Sequence, residues 1–233
     1  MKKINVAGFQ KNSFIDYPGK IASVVFLGGC NFVCCYCHNY DILCYDSNTI
    51  DFDGILRELK EQVGFIDAVV ISGGEPTIHP YLKEIIGAIK KLGFLVKLDT
   101  NGTNSSVMKD LAESGMVDYI AMDVKAPLDR YKEITGTIVD TGEIKKSIEY
   151  LKSQRKVEYI FRTTLCPTLT QMDIREIGSL IKGAKVFQLQ QFVPNDFSKK
   201  RKIVHLPYSA ADAKKFELEL LKYCGKVILR GFD

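Results

Sequence analysis

What this sequence lacks narrows its class before any motif is read. No segment of its 233 residues approaches the about 18 apolar residues of a membrane span. The basic start "MKKINVAGFQKNS" is not followed by the apolar run a secretion signal requires, so the protein is expected in the cytoplasm. Charge of one sign is lacking too. The 32 basic and 28 acidic residues leave a net +4, too little to argue for nucleic acid, and the one basic run, Lys199 to Lys202, reads as a solvated loop. Linkers and low-complexity stretches are absent, and 46% hydrophobic with 26% charged residues excludes intrinsic disorder. One domain over residues 1–233, with its own core, is the expectation. A second short cysteine pair is also missing. Seven cysteines, an odd number, argue against a disulfide framework in a cytosolic chain and for metal or redox chemistry. Five of them fall in "GGCNFVCCYCHNYDILC", residues 28–44.

Apolar β-rich runs alternate with segments of helical period along the chain. Strands are expected at 21–29, 67–74, 94–102, 117–127, 157–165 and 184–193. Helices are expected at 52–63, 81–93, 106–115, 142–154, 173–183 and 209–223, the last leading to "GKVILRGF". Short strands separated by helices imply βαβ units and a parallel sheet. About six units fall short of the eight of a complete barrel, so the fold class is α/β with a partial, open parallel (β/α)6 barrel. A C-terminal helix and strand over about 205–233 extend it. In such folds the loops after the strands build the site. Four unusual loops fall there: the cysteines, "SGGEP" at 72–76, "DTNG" at 99–102 and "DVKAP" at 123–127.

Cys30, Cys34 and Cys37 have CxxxCxxC spacing, which lets a short loop fold three thiolates round one centre. A full cysteine-ligated iron–sulfur cluster uses four, so three would leave one iron open for chemistry. A structural zinc site with His38 or Cys44 as fourth ligand, or thiols buried as small hydrophobes, are the alternatives. Cys35 is not needed for the spacing and reads as structural or incidental. Cys44, Cys166 and Cys224 read as buried free thiols, and "CPTLT" around Cys166 as strand end and helix cap. His79 reads as a cap-region residue and His205 as a surface one.

"CNFVCCYC", with an aromatic residue before the last cysteine, resembles the cluster motif of the radical S-adenosylmethionine (SAM) enzymes. "SGGEP" is similar to that superfamily's glycine-rich segment, and "CCYCHN", "DTNG" and "MDVKAP" to the activating enzymes of glycyl radical enzymes. "SFIDYPGK" followed by "VVFLGGCNFVCCYCHN" particularly resembles the activating proteins of anaerobic ribonucleoside-triphosphate reductase. The pyruvate formate-lyase relatives have glycine where this chain has Tyr17. The resemblance covers most of the chain and implies a barrel of the radical SAM type.

It further implies that Cys30, Cys34 and Cys37 ligate three irons of a [4Fe–4S] cluster while SAM chelates the fourth. Gly73 and Gly74 would let the backbone approach the methionyl group. Tyr36 and His38 would flank the cofactor, and Lys125 would pair with the methionyl carboxylate as a point charge. Arg162 would meet the same carboxylate or the substrate peptide. Asp99 and Asp123 would help hold a monovalent cation. Glu75 would orient the amino group or cap its own loop. The partners implied are a glycyl radical enzyme as protein substrate and a flavodoxin or ferredoxin as electron donor. Alone, Gly73, Gly74 and Pro76 could simply make a turn, Asp99 cap one, and Lys125 lie in solvent. The chain departs from the pattern where pyruvate formate-lyase relatives place a histidine near SAM; here "QQFVPND" puts Val193. It also lacks the extra cysteine clusters of some activating enzymes. The rivals are a radical SAM enzyme of a small molecule and a non-enzymatic iron–sulfur or zinc protein.

Overall fold

A computed structural model of the chain describes residues 4–40, 50–196, 198 and 206–232. Cys44, His205 and the run Lys199 to Lys202 lie outside the described residues. The strands are β1 (Asn5–Val6), β2 (Gly8–Ser13), β3 (Ala22–Leu27), β4 (Ile50–Asp51), β5 (Ala68–Gly73), β6 (Leu95–Thr100), β7 (Tyr119–Asp123), β8 (Glu158–Leu165), β9 (Val186–Gln191) and β10 (Lys226–Arg230). The helices are α1 (Phe52–Glu61), α2 (Leu82–Lys91), α3 (Ser105–Glu113), α4 (Tyr131–Thr135), α5 (Thr141–Ser153), α6 (Gln171–Leu180) and α7 (Ala210–Leu220). Eight strands form one open sheet in the order β10-β9-β8-β7-β6-β5-β3-β2. All neighbours are parallel except β2 and β3.

The six strands read from the alternation are β3 and β5 to β9, the partial (β/α)6 barrel. Two edge strands extend it: β10 pairs with β9 in parallel, and β2 returns against β3 as a hairpin. The sequence reading left β2 out, because "GFQKNS" is polar and largely exposed, as suits an edge strand. The sheet curls far enough that Arg230 on β10 stands 3.9 Å from Asp16 beyond β2.

Strand side chains alternate, so each strand feeds two cores. One set, including Val25, Leu27, Val69, Ile71, Val96, Leu98, Ile120, Met122, Phe161 and Phe187, packs under the helices. There it meets Ile55, Leu59, Ile85, Ile89, Leu111, Ile148 and Ile177. The other set faces the barrel interior. At its lower end Tyr17, Ala22, Val24, Ala68 and Val70 form a small plug, with Phe26, Leu95 and Tyr119 against it. Tyr17, the departure from the pyruvate formate-lyase pattern, is thus packed, its ring 5.6 Å from that of Tyr119.

Helix α4 was not legible in the sequence. It is a single short turn closed by Gly136, whose φ of +68° suits glycine. A side chain there would also run into the Val33 carbonyl. Its last carbonyls serve the cysteine loop, Val33 donating its amide to Thr135 (2.8 Å) and Cys35 to Ile134 (3.2 Å).

Candidate active site

Immediately after β3, Gly28 and Gly29 lead to Cys30, and the chain turns through Cys34 and Cys37 over the ends of the strands. Besides the α4 bonds, this loop is pinned by its neighbours. Asn101 donates its side-chain amide to the Asn31 side-chain oxygen Oδ1 (2.8 Å), Asn39 donates to the Gly73 backbone carbonyl (3.2 Å), and Asn195 donates to the Cys37 backbone carbonyl (2.8 Å). The "DTNG" loop, the glycine loop and the β9 end therefore all hold the cysteine segment.

Cys30, Cys34 and Cys37 line one cleft of about 690 Å³. Its walls include Tyr36, His38, Gly73, Gly74, Glu75, Asp99, Asp123, Lys125 and Arg162. Every site residue expected from the sequence is brought together there. Burial pushes the Cys30 thiol up to about 11 and the Cys34 thiol to about 12. Metal binding at these sulfurs must displace protons. Among the described residues no three His, Cys, Asp or Glu side chains converge as on a single metal ion. A cubane makes a different demand, taking each thiolate on its own iron.

Below the cysteines runs a row of charges on the inward positions of β6 to β8 and the loop after β7. Lys97, only 3% exposed, pairs with Asp99. Arg162 bridges the carboxylates, Nη1 to Asp99 at 3.1 Å and Nε to Asp123 at 2.8 Å. Lys125 Nζ donates to the other Asp123 oxygen at 2.8 Å, and Ser72 Oγ to Asp99 at 3.2 Å. Burial works to raise the Asp123 carboxyl, but Arg162 and Lys125 outweigh it and hold the group down at about 2. Asp99 is likewise lowered against its burial by Arg162 and Lys97. Burial opposes the charge on Lys125, yet Asp123, Tyr36 and Cys34 raise it well above a free lysine. At Lys97 burial prevails and the pKa falls, with Asp99 acting the other way. Within this row three cations face two carboxylates, and Asp16, Glu75 and Arg230 line the same cleft.

The alternative structural readings of these residues fare differently from one another. Asp99 caps no turn and Lys125 is not a solvated loop residue; both belong to the ionic row. Glu75 caps its own loop, its carboxylate accepting from the Thr77 amide (3.0 Å) and hydroxyl (2.6 Å). It also accepts from the Thr100 hydroxyl (2.7 Å) and the Asn101 amide (2.6 Å), stitching the loops after β5 and β6. At Gly73, φ is +114°, and side chains at Gly73 or Gly74 would run into the backbone of Leu27 or Gly29. These glycines let two loops of the chain itself approach closely. Val193 is exposed, outside the cleft, and Gln190 on β9 lines it instead.

Cys35 and Cys166, read as incidental and scattered, lie close enough to shift each other's ionisation. Their interaction raises the Cys35 pKa and lowers that of Cys166. The Thr168 hydroxyl donates to the Cys166 sulfur at 3.4 Å. Cys224 is a buried thiol donating weakly to the Leu220 carbonyl.

Sequence reasoning missed Lys97, Gln190, Arg230 and Ser72. A signal for Lys97 existed: it lies two residues before Asp99 on the same strand, and so on the same face. Tyr36 has a buried hydroxyl with no hydrogen-bond partner among the described residues, and the Lys125 ammonium lies 5.8 Å from its ring centroid. A donor with no partner among the described residues, three thiols, and the Lys125 and Arg162 cations in one cleft fit a cluster with a carboxylate-bearing ligand.

Residues 24–181 match the family model of the radical SAM superfamily, and the chain belongs to that superfamily. It is an enzyme of the radical SAM type, with the [4Fe–4S] cluster and SAM that family membership implies. Across 99% of its length it is 36% identical to a protein of Methanocaldococcus jannaschii named among the glycyl-radical enzyme activating enzymes, covering 98% of that relative. It is 26% identical to the pyruvate formate-lyase-activating enzyme of Clostridium pasteurianum, covering 96% of each chain. Its fold resembles that of Streptococcus suis SuiB bound to the precursor peptide SuiA. There the TM-score is 0.71 at 17% identity, over 89% of this chain and 48% of that one. Among the described residues no helix is long and apolar enough to cross a membrane.

Proposed function

We propose that this protein is a glycyl radical enzyme activase, installing a radical on a glycine of a partner protein. The observation that carries the reading is the meeting of Cys30, Cys34 and Cys37 with the buried Lys125–Asp123–Arg162 ionic row in one cleft of an open barrel. When bound, the cluster and SAM supply one-electron reductive cleavage to methionine and a 5′-deoxyadenosyl radical able to take hydrogen from a glycine Cα.

The chain's own residues bind, orient and exclude. Cys30, Cys34 and Cys37 would each hold one iron of the cluster and leave one for SAM. Lys125 and Arg162, already fixed by Asp123, receive the methionyl carboxylate as preorganised charges. Tyr36 and His38 would flank the cofactor, and the Tyr36 hydroxyl, without a partner among the described residues, would donate to it. Gly73 and Gly74 keep the β5 loop low enough to leave the cofactor room. No side chain is assigned as a general acid or base, because hydrogen-atom abstraction needs near-attack geometry in a dry site. The open sheet suits a glycine-bearing loop of a partner. Anaerobic ribonucleoside-triphosphate reductase is the partner favoured by "SFIDYPGK" and "CCYCHN", with a flavodoxin or ferredoxin as donor.

The test is anaerobic. The reconstituted, reduced protein is mixed with SAM and anaerobic ribonucleoside-triphosphate reductase, and the electron paramagnetic resonance spectrum is followed. The expected result is a glycine-centred doublet on the partner that requires SAM. SAM cleavage driven by a small molecule, with no radical on the partner, would favour the small-molecule reading and overturn this one.

A further inference from the structure

A monovalent cation between Asp99 and Asp123, expected from the family resemblance, does not fit this chain. All four carboxylate oxygens already have cationic partners. Asp99 Oδ1 pairs with Lys97, and Asp99 Oδ2 accepts from Arg162 and Ser72. Asp123 Oδ1 accepts from Arg162 and Asp123 Oδ2 from Lys125. An alkali ion needs oxygen ligands carrying uncompensated negative charge. Here every oxygen is already matched, and the ion would sit beside an ammonium, a guanidinium and a second ammonium, in an interior where repulsion is weakly screened.

The placement of Lys97 is what makes the arrangement particular. A lysine is rarely this deeply buried without a partner to hold its charge. Its stem rises from the middle of β6, above the plug residue Leu95 and below Asp99, and delivers its charge from beneath to the carboxylate that faces the cleft. We infer that Lys97 supplies internally the positive charge that an alkali cation would bring to the cofactor cleft, so that SAM binding here is independent of monovalent cations. Lys97 is then a positioning residue: it fixes Asp99, Asp99 helps fix Arg162, and Arg162 meets the cofactor. The inference rests on SAM occupying this cleft and not on which partner receives the radical.

The experiment compares potassium, sodium and N-methylglucamine chlorides at equal ionic strength and neutral pH. Thermal midpoints of the protein without SAM and SAM affinity of the reconstituted protein, by equilibrium dialysis, are both measured. For the unaltered chain the midpoints should coincide, and SAM affinity should change less than about twofold, below the scale of one lost ion contact. Lys97→Gln should acquire a midpoint raised by potassium or sodium, and SAM affinity that falls at least about tenfold in N-methylglucamine, the size of an ordinary site–site coupling. Lys97→Arg, which keeps the charge, should restore cation independence. A tenfold dependence of SAM affinity on potassium or sodium in the unaltered chain would overturn the inference, and this arm stands even if Lys97→Gln does not fold. Lys97→Gln indifferent to cations and unchanged in SAM affinity would overturn it as well. Failure of the activase reading looks different: SAM binds equally in every salt, but no glycine radical forms.

Discussion

On β6 the inward positions run Leu95, Lys97, Asp99; on β7 they run Tyr119, Ala121, Asp123. Their neighbours on β3 and β5 run Ala22, Val24, Phe26 and Ala68, Val70, Ser72. Along each strand the interior passes within four residues from an apolar plug to polar or charged groups, Phe26 excepted, although backbone and pairing are the same at both ends. The lower end only has to fill space, and small or β-branched residues do so beside Tyr17 and Tyr119. The upper end must keep charges out of water without losing them. It succeeds because each charge has an opposite neighbour at hydrogen-bond distance. A parallel sheet sends all its strands the same way, so one end of its interior can be spent on stability and the other on chemistry.

Asp123→Ala should break the contrast most severely. It strands Arg162 and Lys125 as buried charges with fewer partners, a defect of about 3–5 kcal/mol, read by denaturant unfolding. SAM affinity should fall in the same variant, because both cations lose the group that aims them. Acid provides a milder version. Because the folded-state pKa of Asp123 is depressed to about 2, its contribution is fully present above the unfolded carboxyl value near 4 and is lost as pH falls toward 2. The depression corresponds to about 2 kcal/mol. Unfolding free energy should therefore drop between about pH 4 and pH 2, and Asp123→Asn should remove most of that slope. The smallest effect belongs to the plug. Val70→Ala, which deletes buried methyl groups, should cost about 1.5 kcal/mol and leave SAM affinity unchanged. A plug variant that weakened SAM binding as much as Asp123→Ala would erase the distinction between the two ends.

Much of this was legible in the sequence, for a physical reason in each case. The six inner strands and their helices show because periodicity records which face is buried, and the site because its loops carry residues that packing does not require. Less visible was whatever depends on non-local partners. Helix α4 is too short to have a period, yet it holds the cysteine loop. Glu75 gave two equal readings until Thr77, Thr100 and Asn101 were seen round its carboxylate. Cys35 and Cys166 lie 131 positions apart in the chain, and no local pattern pairs them. Lys97 looked like one lysine among many until the barrel closed round it.

The most direct test of the central claim, that the three cysteines hold a cluster with an iron open to SAM, is the electron paramagnetic resonance spectrum of the anaerobically reconstituted and reduced protein, with and without SAM. A [4Fe–4S]⁺ signal that shifts on SAM addition, and is absent in Cys34→Ala, is the predicted result. A cluster whose signal is indifferent to SAM, or tightly bound zinc in its place, would contradict the account.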